Sequence, residues 1–392
     1  MESARAGRNG PSLLYAAKGS RVFVSGLMSV SIPAYLQAIG SGGLFVGVAL
    51  AAILAGNAAS NIVLNFLRGK APTKKILQGF SGLMVIAGVI LAWTASPWAI
   101  LLACFMGNVS TTGTEAGPFQ SAEAGILPEL VPEGKIVRAF GRYNFVGYLA
   151  AAFGTSSLSV PGLLGGSLWA FRALFLAFAG AGALLLVIYA TLAWPKEEPA
   201  ARELSKEAKG QIVRLSAFFS VDAFGGAFVS QYLLSYWFFV VYGVPLTGLA
   251  AIFFVSSLIS AASTYGAALI AERIGNLRTM VFTHIPSGVL LLLTPLAGSL
   301  VGSVAVLFLR QSLSQMDVPT RQALMAEMFE KDDRVQAYAA TNVVRSLGTF
   351  GGGPVATGLI ALGAYSGLLY AGGLTKIGYD LAIYSAYRKK FR

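Results

Sequence analysis

Long apolar runs separated by short polar gaps cover almost the whole chain. Each run is long enough to cross a bilayer, because a transmembrane helix needs roughly 20 apolar residues. Strands are excluded, because the runs are too long and lack the alternation of polar and apolar positions typical of a membrane β-barrel. The pattern predicts an all-α integral membrane protein with twelve transmembrane helices, at about 19–40, 43–67, 76–95, 98–117, 139–161, 166–194, 213–242, 246–271, 277–297, 299–318, 336–361 and 364–386.

The sequence also repeats at about half its length. The segments Glu129–Asn144 and Glu327–Asn342 each connect two apolar runs, and they lie 198 residues apart. The same offset separates Gly154 from Gly352. Repetition of this kind predicts two related six-helix bundles, as many transporters have. The predicted domains are residues 1–194 and 213–392, joined by a polar cytoplasmic linker at 195–212.

Composition indicates that lipid is the main solvent. The chain is 55% hydrophobic and 12% charged, with a mean hydropathy of +0.68. A soluble domain has about 25% charged residues. The polar and basic first 18 residues lack the features of a cleaved signal peptide, so none is expected. A single cysteine, Cys104, excludes an intramolecular disulfide.

Positive charges fall in every second gap between the runs. The gaps on the other side contain little positive charge apart from Arg172. This asymmetry predicts a multi-pass protein of the cytoplasmic membrane with both termini in the cytoplasm. It attributes the net charge of +12 to topology and anionic lipid rather than to nucleic acid. The cations assigned to the cytoplasmic side are Arg68, Lys70, Lys74, Lys75, Lys135, Arg138, Lys196, Arg202, Lys206, Lys209, Arg273, Arg278, Arg321, Lys331, Arg334, Arg388, Lys389, Lys390 and Arg392.

One loop in the second half resembles a motif of the major facilitator superfamily. The segment Ala268–Arg278 is similar to the family's loop between helices two and three, which recurs between helices eight and nine. Its acidic, basic, glycine and basic positions are occupied by Glu272, Arg273, Gly275 and Arg278. The corresponding first-half loop, Arg68–Lys75, keeps the basic residues and lacks the acid. The segments Ser314–Gln322 and Gly117–Glu123 resemble a prokaryotic, efflux-like branch of the family.

The resemblance implies a particular fold and mechanism. Members of the family have two pseudo-symmetric bundles of six helices that rock about a site near the membrane midplane. Helices one, four, seven and ten line the cavity, and the conserved loop acts in gating. Burying an ionisable side chain inside a transmembrane helix costs free energy, so each such residue is a candidate for a functional site.

Asp222 is the first candidate for binding a coupling proton. It shares one helical stripe with Gly225, Val229, Tyr232 and Tyr236. An acid beside two tyrosines suits a proton-coupling carboxylate next to an aromatic binding wall, and Tyr232 and Tyr236 are substrate-binding candidates. The open alternative is a structural acid paired with a base from another helix. Further proton-coupling candidates are Glu115, which also fits a gate or loop anchor, and Asp317.

Two arginines predicted inside the membrane are candidates for binding substrate. Arg310, Ser314 and Asp317 share a helical face, with the amides of Gln311 and Gln315 one position round. Two arginines at this depth could bind an anionic group through paired hydrogen bonds. They could equally form bridges to Asp317 and Glu115, and both interpretations stay open. The substrate-binding candidates are Arg310, Gln311, Ser314, Gln315, Asn342, Arg345, Asn144 and Asn108.

Other ionisable residues are assigned structural roles. His284 lies in the ninth run, which the resemblance places on the lipid-facing outside, and a lone histidine is not a metal site. Lys376 and Asp380 are one turn apart and are expected to neutralise each other. The sequence contains no P-loop, no cluster of histidines and cysteines and no nucleotide-binding domain, so no metal or cofactor is expected and an ATP-driven pump is excluded.

These observations predict a secondary active transporter of a small solute, working by alternating access as proton-coupled export. The expected partners are the solute, protons and membrane lipid, and the protein is expected to be a monomer and not an enzyme. One alternative is an organic-anion carrier that uses Arg310 and Arg345. Alternatives of another class are a lipid scramblase and a membrane-embedded enzyme built on a helical bundle.

Overall fold

A computed structural model shows the architecture of residues 2–67, 70–113, 117–131, 136–192, 206–329 and 331–390. These residues form helices and turns and no β-strand. The chain divides into two compact units, Met1–Ala201 with Val244–Phe254, and Arg202–Gly243 with Val255–Arg392. The domain borders named above stay a prediction, because most of the proposed linker lies outside the described residues.

The first unit is built on two helix pairs. Helix α1 packs against α6, α3 packs against α8, and α8 also contacts α1. The helices up to residue 192 are α1 (Glu2–Ala38), α2 (Gly43–Leu67), α3 (Thr73–Trp93), α4 (Pro97–Met106), α5 (Pro118–Ile126), a 3-10 turn (Leu127–Leu130), α6 (Ile136–Ser156), α7 (Ser159–Leu163) and α8 (Leu168–Thr191).

The remaining helices repeat this arrangement. They are α9 (Lys206–Phe228), α10 (Gln231–Tyr242), α11 (Leu246–Ile274), α12 (Asn276–Leu293), a 3-10 turn (Pro295–Ala297), α13 (Leu300–Ser314), α14 (Asp317–Met328), α15 (Lys331–Ala361) and α16 (Tyr365–Tyr387). Helix α9 packs against α15, α12 against α16, and α16 also contacts α9. The second unit therefore has the same pairing as the first, as the internal repeat predicts.

Close helix contacts at two glycines support the repeat. A Cβ atom at Gly154 on α6 would lie 1.9 Å from the backbone oxygen of Phe23 on α1. A Cβ atom at Gly352 on α15 would lie 2.9 Å from the backbone oxygen of Phe224 on α9. Small residues of this kind allow helices to approach closely where lipid gives no hydrophobic drive. The two glycines, 198 residues apart, thus allow the same close helix contact in each half.

Eleven of the twelve predicted runs fall on a helix or on two consecutive helices, and the fourth is helical only up to Met106. By length and hydropathy, five stretches are long and apolar enough to cross a membrane, among the residues that the structure describes. They are Gly43–Leu64, Thr73–Trp93, Leu168–Thr191, Lys206–Tyr242 and Leu246–Ala271. The other runs contain more polar residues or breaks.

The fourth, seventh and tenth runs are broken rather than continuous. Helix α4 ends at Met106, and Asn108 then adopts a left-handed backbone with φ of 51°. Helix α9 stops at Phe228, and Ser230 caps the start of α10 by accepting a hydrogen bond from the backbone of Leu233. Helices α13 and α14 are separated by a turn at 315–316. Short polar residues at these places compete for backbone hydrogen bonds, which explains the breaks.

Candidate functional site

Asp222 on α9 is the centre of a buried cluster of charged side chains in the second unit. Its Oδ1 accepts a hydrogen bond from Nζ of Lys376 on α16 at 2.7 Å. Its Oδ2 accepts one from Nη1 of Arg321 on α14 at 3.3 Å, and Nη2 of Arg345 on α15 lies 3.9 Å from the same oxygen. Both carboxylate oxygens are therefore paired with cations from three other helices, which is the structural alternative that the sequence left open.

Asp317 is the second acid of this cluster. Its Oδ2 accepts a hydrogen bond from Nη1 of Arg321 at 2.8 Å, one turn along α14. The guanidinium of Arg321 thus bridges Asp222 and Asp317. Because Asp317 is the first residue of α14, its negative charge also lies at the helix end where the macrodipole favours it.

Arg310 lies in a chain of polar side chains beside this cluster. It is 6% exposed, and its Nη1 donates to Oε1 of Gln311 at 3.1 Å. Ser314 donates to the same oxygen at 2.7 Å, and Nε2 of Gln315 donates to the hydroxyl of Ser314 at 3.3 Å. The structure therefore brings together four of the residues predicted to bind substrate.

The two arginines keep unused donors. Arg310 forms no ion pair with any described residue, and Asp317 is paired with Arg321 instead. The Nε atoms of Arg310 and Arg345 are buried and have no hydrogen-bond partner among the described residues. Asn342 lies half-buried one turn before Arg345 on α15. A buried guanidinium with open donors is suited to receive an anionic group.

The stripe that begins at Asp222 faces α16. A Cβ atom at Gly225 would lie 3.0 Å from Cγ2 of Thr375, and one at Gly372 would lie 2.6 Å from Cγ1 of Val229. The break after α9 separates this part from the two buried tyrosines on α10. Tyr236 contacts the ring of Tyr365 with centroids 6.1 Å apart, and Tyr232 is fully buried. The continuous aromatic wall expected from the spacing is interrupted, because the spacing assumed an unbroken helix.

The first unit contains a buried cluster that the sequence analysis did not predict. Nη1 and Nη2 of Arg21 on α1 donate to the two oxygens of Glu123 on α5 at 2.9 and 2.7 Å. The hydroxyls of Tyr143 and Tyr189 each donate to Glu123 at 2.7 Å. Arg21 and Glu123 have side chains 3% and 0% exposed. The available signal was an arginine inside an apolar run and an acid shortly after a helix start.

Two expectations about the twelfth and ninth runs are wrong. Lys376 pairs with Asp222 instead of with Asp380. Asp380 accepts from His284 on α12, whose Nδ1 lies 2.9 Å from Oδ2. His284 is 3% exposed within the second unit, so its ring does not face lipid. Asp222 and Asp380 each pair with a base on a neighbouring helix, because the helices pack closely here and few other polar groups are buried between them.

Of the asparagine candidates of the first half, Asn108 lies just after α4 and Asn144 lies on α6. Both amide atoms of Asn108 are buried without a hydrogen-bond partner among the described residues. Asn144 is half-buried on α6. Glu115, the other first-half candidate, lies outside the described residues.

The predicted gating loop connects α11 and α12. Gly275 has a positive φ of 87°, which favours glycine, and precedes the first residue of α12. Arg273 and Arg278 are exposed and form no ion pair with a described residue. The side chain of Glu272 lies outside the described part of the chain. The gating role of these four residues stays a prediction.

Sequence comparison identifies relatives of the whole chain. The family model of the Major Facilitator Superfamily matches residues 14–353. An uncharacterized membrane protein of Saccharomyces cerevisiae is 23% identical over 400 residues, which cover 91% of this chain and 89% of that protein.

Solved structures of transporters have the same fold. A mutant of the nucleoside transporter NupG matches with a TM-score of 0.73 and 13% identity, over 96% of this chain and 99% of that chain. The fucose:proton symporter FucP of E. coli matches with a TM-score of 0.66 and 14% identity, over 96% and 98%. A bacterial homolog of the human lysosomal transporter Spinster, inward-facing and occupied, matches with 0.69 and 15%, over 96% of each chain. The predicted twelve-helix fold and the resemblance to this family are confirmed.

Proposed function

The chain belongs to the major facilitator superfamily, so it is a membrane transporter and not an enzyme, and from this premise we propose that it moves a small anionic solute by alternating access. The proposal rests on Arg310, a buried guanidinium that forms no ion pair with any described residue. An arginine inside a membrane is costly unless it is paired. A substrate anion is the partner that the described residues do not supply.

The balance of charge around Arg310 supports an anion. The acids of the cluster are Asp222 and Asp317, and its bases are Arg310, Arg321, Arg345 and Lys376. The bases exceed the acids by two. A bound carboxylate, sulfate or phosphate group would reduce this excess and would use the open Nε donors of Arg310 and Arg345.

Substrates named for the structural neighbours do not transfer at this level of identity. Nucleosides and fucose are neutral, and the neighbours that carry them share 13–14% of their residues with this chain. Their hydroxyl-rich chemistry suits uncharged polar side chains, whereas this cluster is cationic. The neutral solutes therefore serve as the contrasting class in a test.

The test is a ligand panel on purified protein with the variant Arg310→Gln. Sulfate, succinate and benzoate represent the anions, and uridine and fucose represent the neutral solutes. Binding to the folded state raises the melting temperature by mass action. We expect at least one anion to stabilise the wild type, and Arg310→Gln to weaken it by about tenfold or more, because a hydrogen bond to a charged group contributes about 1.5–3 kcal/mol.

The matched control is Arg388→Gln, which removes an exposed arginine of the same half outside the gating loop. It should bind the same anion as tightly as the wild type. Stabilisation by the neutral solutes alone would contradict the anion proposal. A large loss of stability in Arg310→Gln with unchanged affinity would remove Arg310 from the binding site.

Proton coupling is the second part of the proposed function. Both oxygens of Asp222 are held in ion pairs, so a proton taken up beside this cluster would add positive charge and favour the release of at least one cation. Such a release would connect protonation to movement of α14, α15 or α16. Asp222→Asn should then abolish transport driven by a pH gradient and leave substrate exchange intact. Uphill transport by this variant would contradict the role.

The orientation in the membrane is proposed from the charge asymmetry. The protein is proposed to lie in the cytoplasmic membrane as a monomer. Both of its termini are placed on the cytoplasmic side. Cysteines introduced at Lys74, Lys206 and Arg388 in a Cys104→Ser background should react only from the cytoplasm. A cysteine at Gly243, between α10 and α11, should react only from outside. Labelling of one site from both sides would contradict the topology.

A further inference from the structure

The single histidine of the chain forms a buried pair with an aspartate. Nδ1 of His284 lies 3.1 Å from Oδ1 and 2.9 Å from Oδ2 of Asp380. The two side chains are 3% and 0% exposed. With the carboxylate ionised, Nδ1 must bear the hydrogen of the neutral ring, which leaves the lone pair on Nε2. Nε2 forms no hydrogen bond with any described residue.

The pair is continuous with the charged cluster around Asp222. Lys376, one turn before Asp380 on α16, donates to Asp222 at 2.7 Å. The ring of Tyr379 meets the ring of His284 edge-on, with centroids 6.4 Å apart. On α16 itself the neighbouring charged or titratable side chains are Lys376 and Tyr379. The helices that contact α12 or α16 contribute Asp222, Arg310, Asp317, Arg321 and Arg345.

We propose that the pair of His284 and Asp380 binds the coupling proton of this transporter, with Nε2 of His284 as the atom that accepts it. The proposal rests on the proposed transport of an anion. The proton adds to the Nε2 lone pair, and the imidazolium that results stays paired with Asp380. An O–H bond of the donating hydronium ion breaks as this N–H bond forms, and no other covalent bond changes. Imidazole is the side chain suited to exchange a proton near neutral pH.

The charge of the whole cluster explains why such a proton assists an anion. With the neutral ring, the carboxylates are Asp222, Asp317 and Asp380, and the cations are Arg310, Arg321, Arg345 and Lys376. Because Asp380 is now added to the two acids counted above, the excess of positive charge among these described residues falls from two to one. Protonation of His284 raises the excess to two, so an anion binds more tightly to the protonated protein. By linkage, the anion also increases proton binding to the same extent.

Asp222 is a less suitable acceptor because both of its oxygens already pair with cations. The lone pair on Nε2 of His284 is not engaged in this way. In this arrangement the bound proton strengthens anion binding instead of competing with it. Binding of both together is what transport of the proton and the anion in the same direction requires. The pair therefore predicts co-transport, where the sequence alone suggested exchange against protons.

The first test observes the histidine directly in the full-length wild-type protein. Because the chain has one histidine, protein labelled with ¹³C only at Cε1 of histidine and purified without a polyhistidine tag gives one ring signal. We expect this signal to change when the protein is moved from pH 8 to pH 5.5, and Asp380→Asn to alter that change. A ring signal that does not change over this range would overturn the proposal.

The second test measures sulfate binding, because sulfate stays a dianion throughout this range and any pH dependence comes from the protein. Wild-type affinity should rise by about tenfold from pH 8 to pH 5.5, within the usual range for coupled sites. His284→Gln should show the same affinity at both pH values. Equal pH dependence in the two proteins would overturn the proposal. If sulfate binds neither protein, the anion proposal fails for this probe, and the histidine signal still decides the proton site.

Discussion

The buried charge clusters of the two units differ in how completely they are paired. In the first unit, one arginine and one glutamate share two hydrogen bonds, and two tyrosines occupy the remaining positions on the carboxylate. In the second unit, two acids face four bases, and two arginine Nε atoms have no partner among the described residues. The first arrangement is suited to hold helices together, and the second is suited to receive a ligand.

The two clusters lie at related positions of the internal repeat. Glu123 and Arg321 are 198 residues apart, the offset of the repeat, and so are Tyr189 and Tyr387. The helix pair that corresponds to α1 and α5 in the first half is α9 and α14 in the second. The acid and the base have exchanged helices between the halves. Both halves thus have a buried ion pair between equivalent helices, and the halves differ in which helix carries the acid and which carries the base.

The largest effect is expected from Glu123→Gln, which breaks the first cluster. The change leaves Arg21, whose side chain is 3% exposed, without its carboxylate. Removing one partner of a buried ion pair costs about 3–5 kcal/mol. We expect this loss in the free energy of unfolding, measured by equilibrium denaturation in detergent micelles.

Two further variants control this measurement. Glu207→Gln removes an exposed acid at the start of α9 and should stay within about 0.5 kcal/mol of the wild type. The double variant Arg21→Met with Glu123→Met should recover part of the loss, because both charges disappear together. Equal stability of Glu123→Gln and Glu207→Gln would show that the pair does not brace the first unit.

A smaller loss is expected from Asp222→Asn in the second cluster. Arg321 keeps its 2.8 Å contact with Asp317 after the change. The side chains of Lys376 and Arg345 are 12% and 30% exposed, so they can turn toward water. We expect a loss of about 1–3 kcal/mol in the same assay. A loss as large as that of Glu123→Gln would mean that both clusters act as braces, and the contrast between the units would fail.

The hydrophobic pattern predicted the helices well, because a run of about 20 apolar residues is by itself enough to indicate a helix that crosses the membrane. Eleven of the twelve predicted runs fall on helices, and the fourth is helical only up to Met106. The breaks were not predicted. A hydropathy average over about 20 residues does not detect two residues such as Val229 and Ser230, or the left-handed Asn108.

The ion-pair partners of the buried charged residues, which lie on other helices, were harder to predict than which charged residues are buried. Asp222, Arg310 and Arg345 were identified as candidates because a charge inside an apolar run is costly. Arg21 and Glu123 are 102 residues apart, and nothing in their local sequence specifies the pairing. The expected pair of Lys376 and Asp380 followed the one-turn rule for a helix surface, which does not hold where each side chain meets a partner on a neighbouring helix.

The smallest effect, and the most direct comparison, comes from the two tyrosines at equivalent positions. The hydroxyl of Tyr189 donates to Glu123 at 2.7 Å and accepts from Arg21 at 2.8 Å. The hydroxyl of Tyr387 is buried with no hydrogen-bond partner among the described residues. Removing a hydrogen bond to a charged group costs about 1.5–3 kcal/mol, whereas removing an unpaired buried hydroxyl is neutral or stabilising. Tyr189→Phe should therefore destabilise the protein by about 1.5 kcal/mol or more. Tyr387→Phe should leave the free energy of unfolding unchanged or raise it, since the cation–π contact with Arg214 needs only the ring. Equal losses in the two variants would show that the hydroxyl of Tyr387 is hydrogen-bonded in the folded protein as the hydroxyl of Tyr189 is.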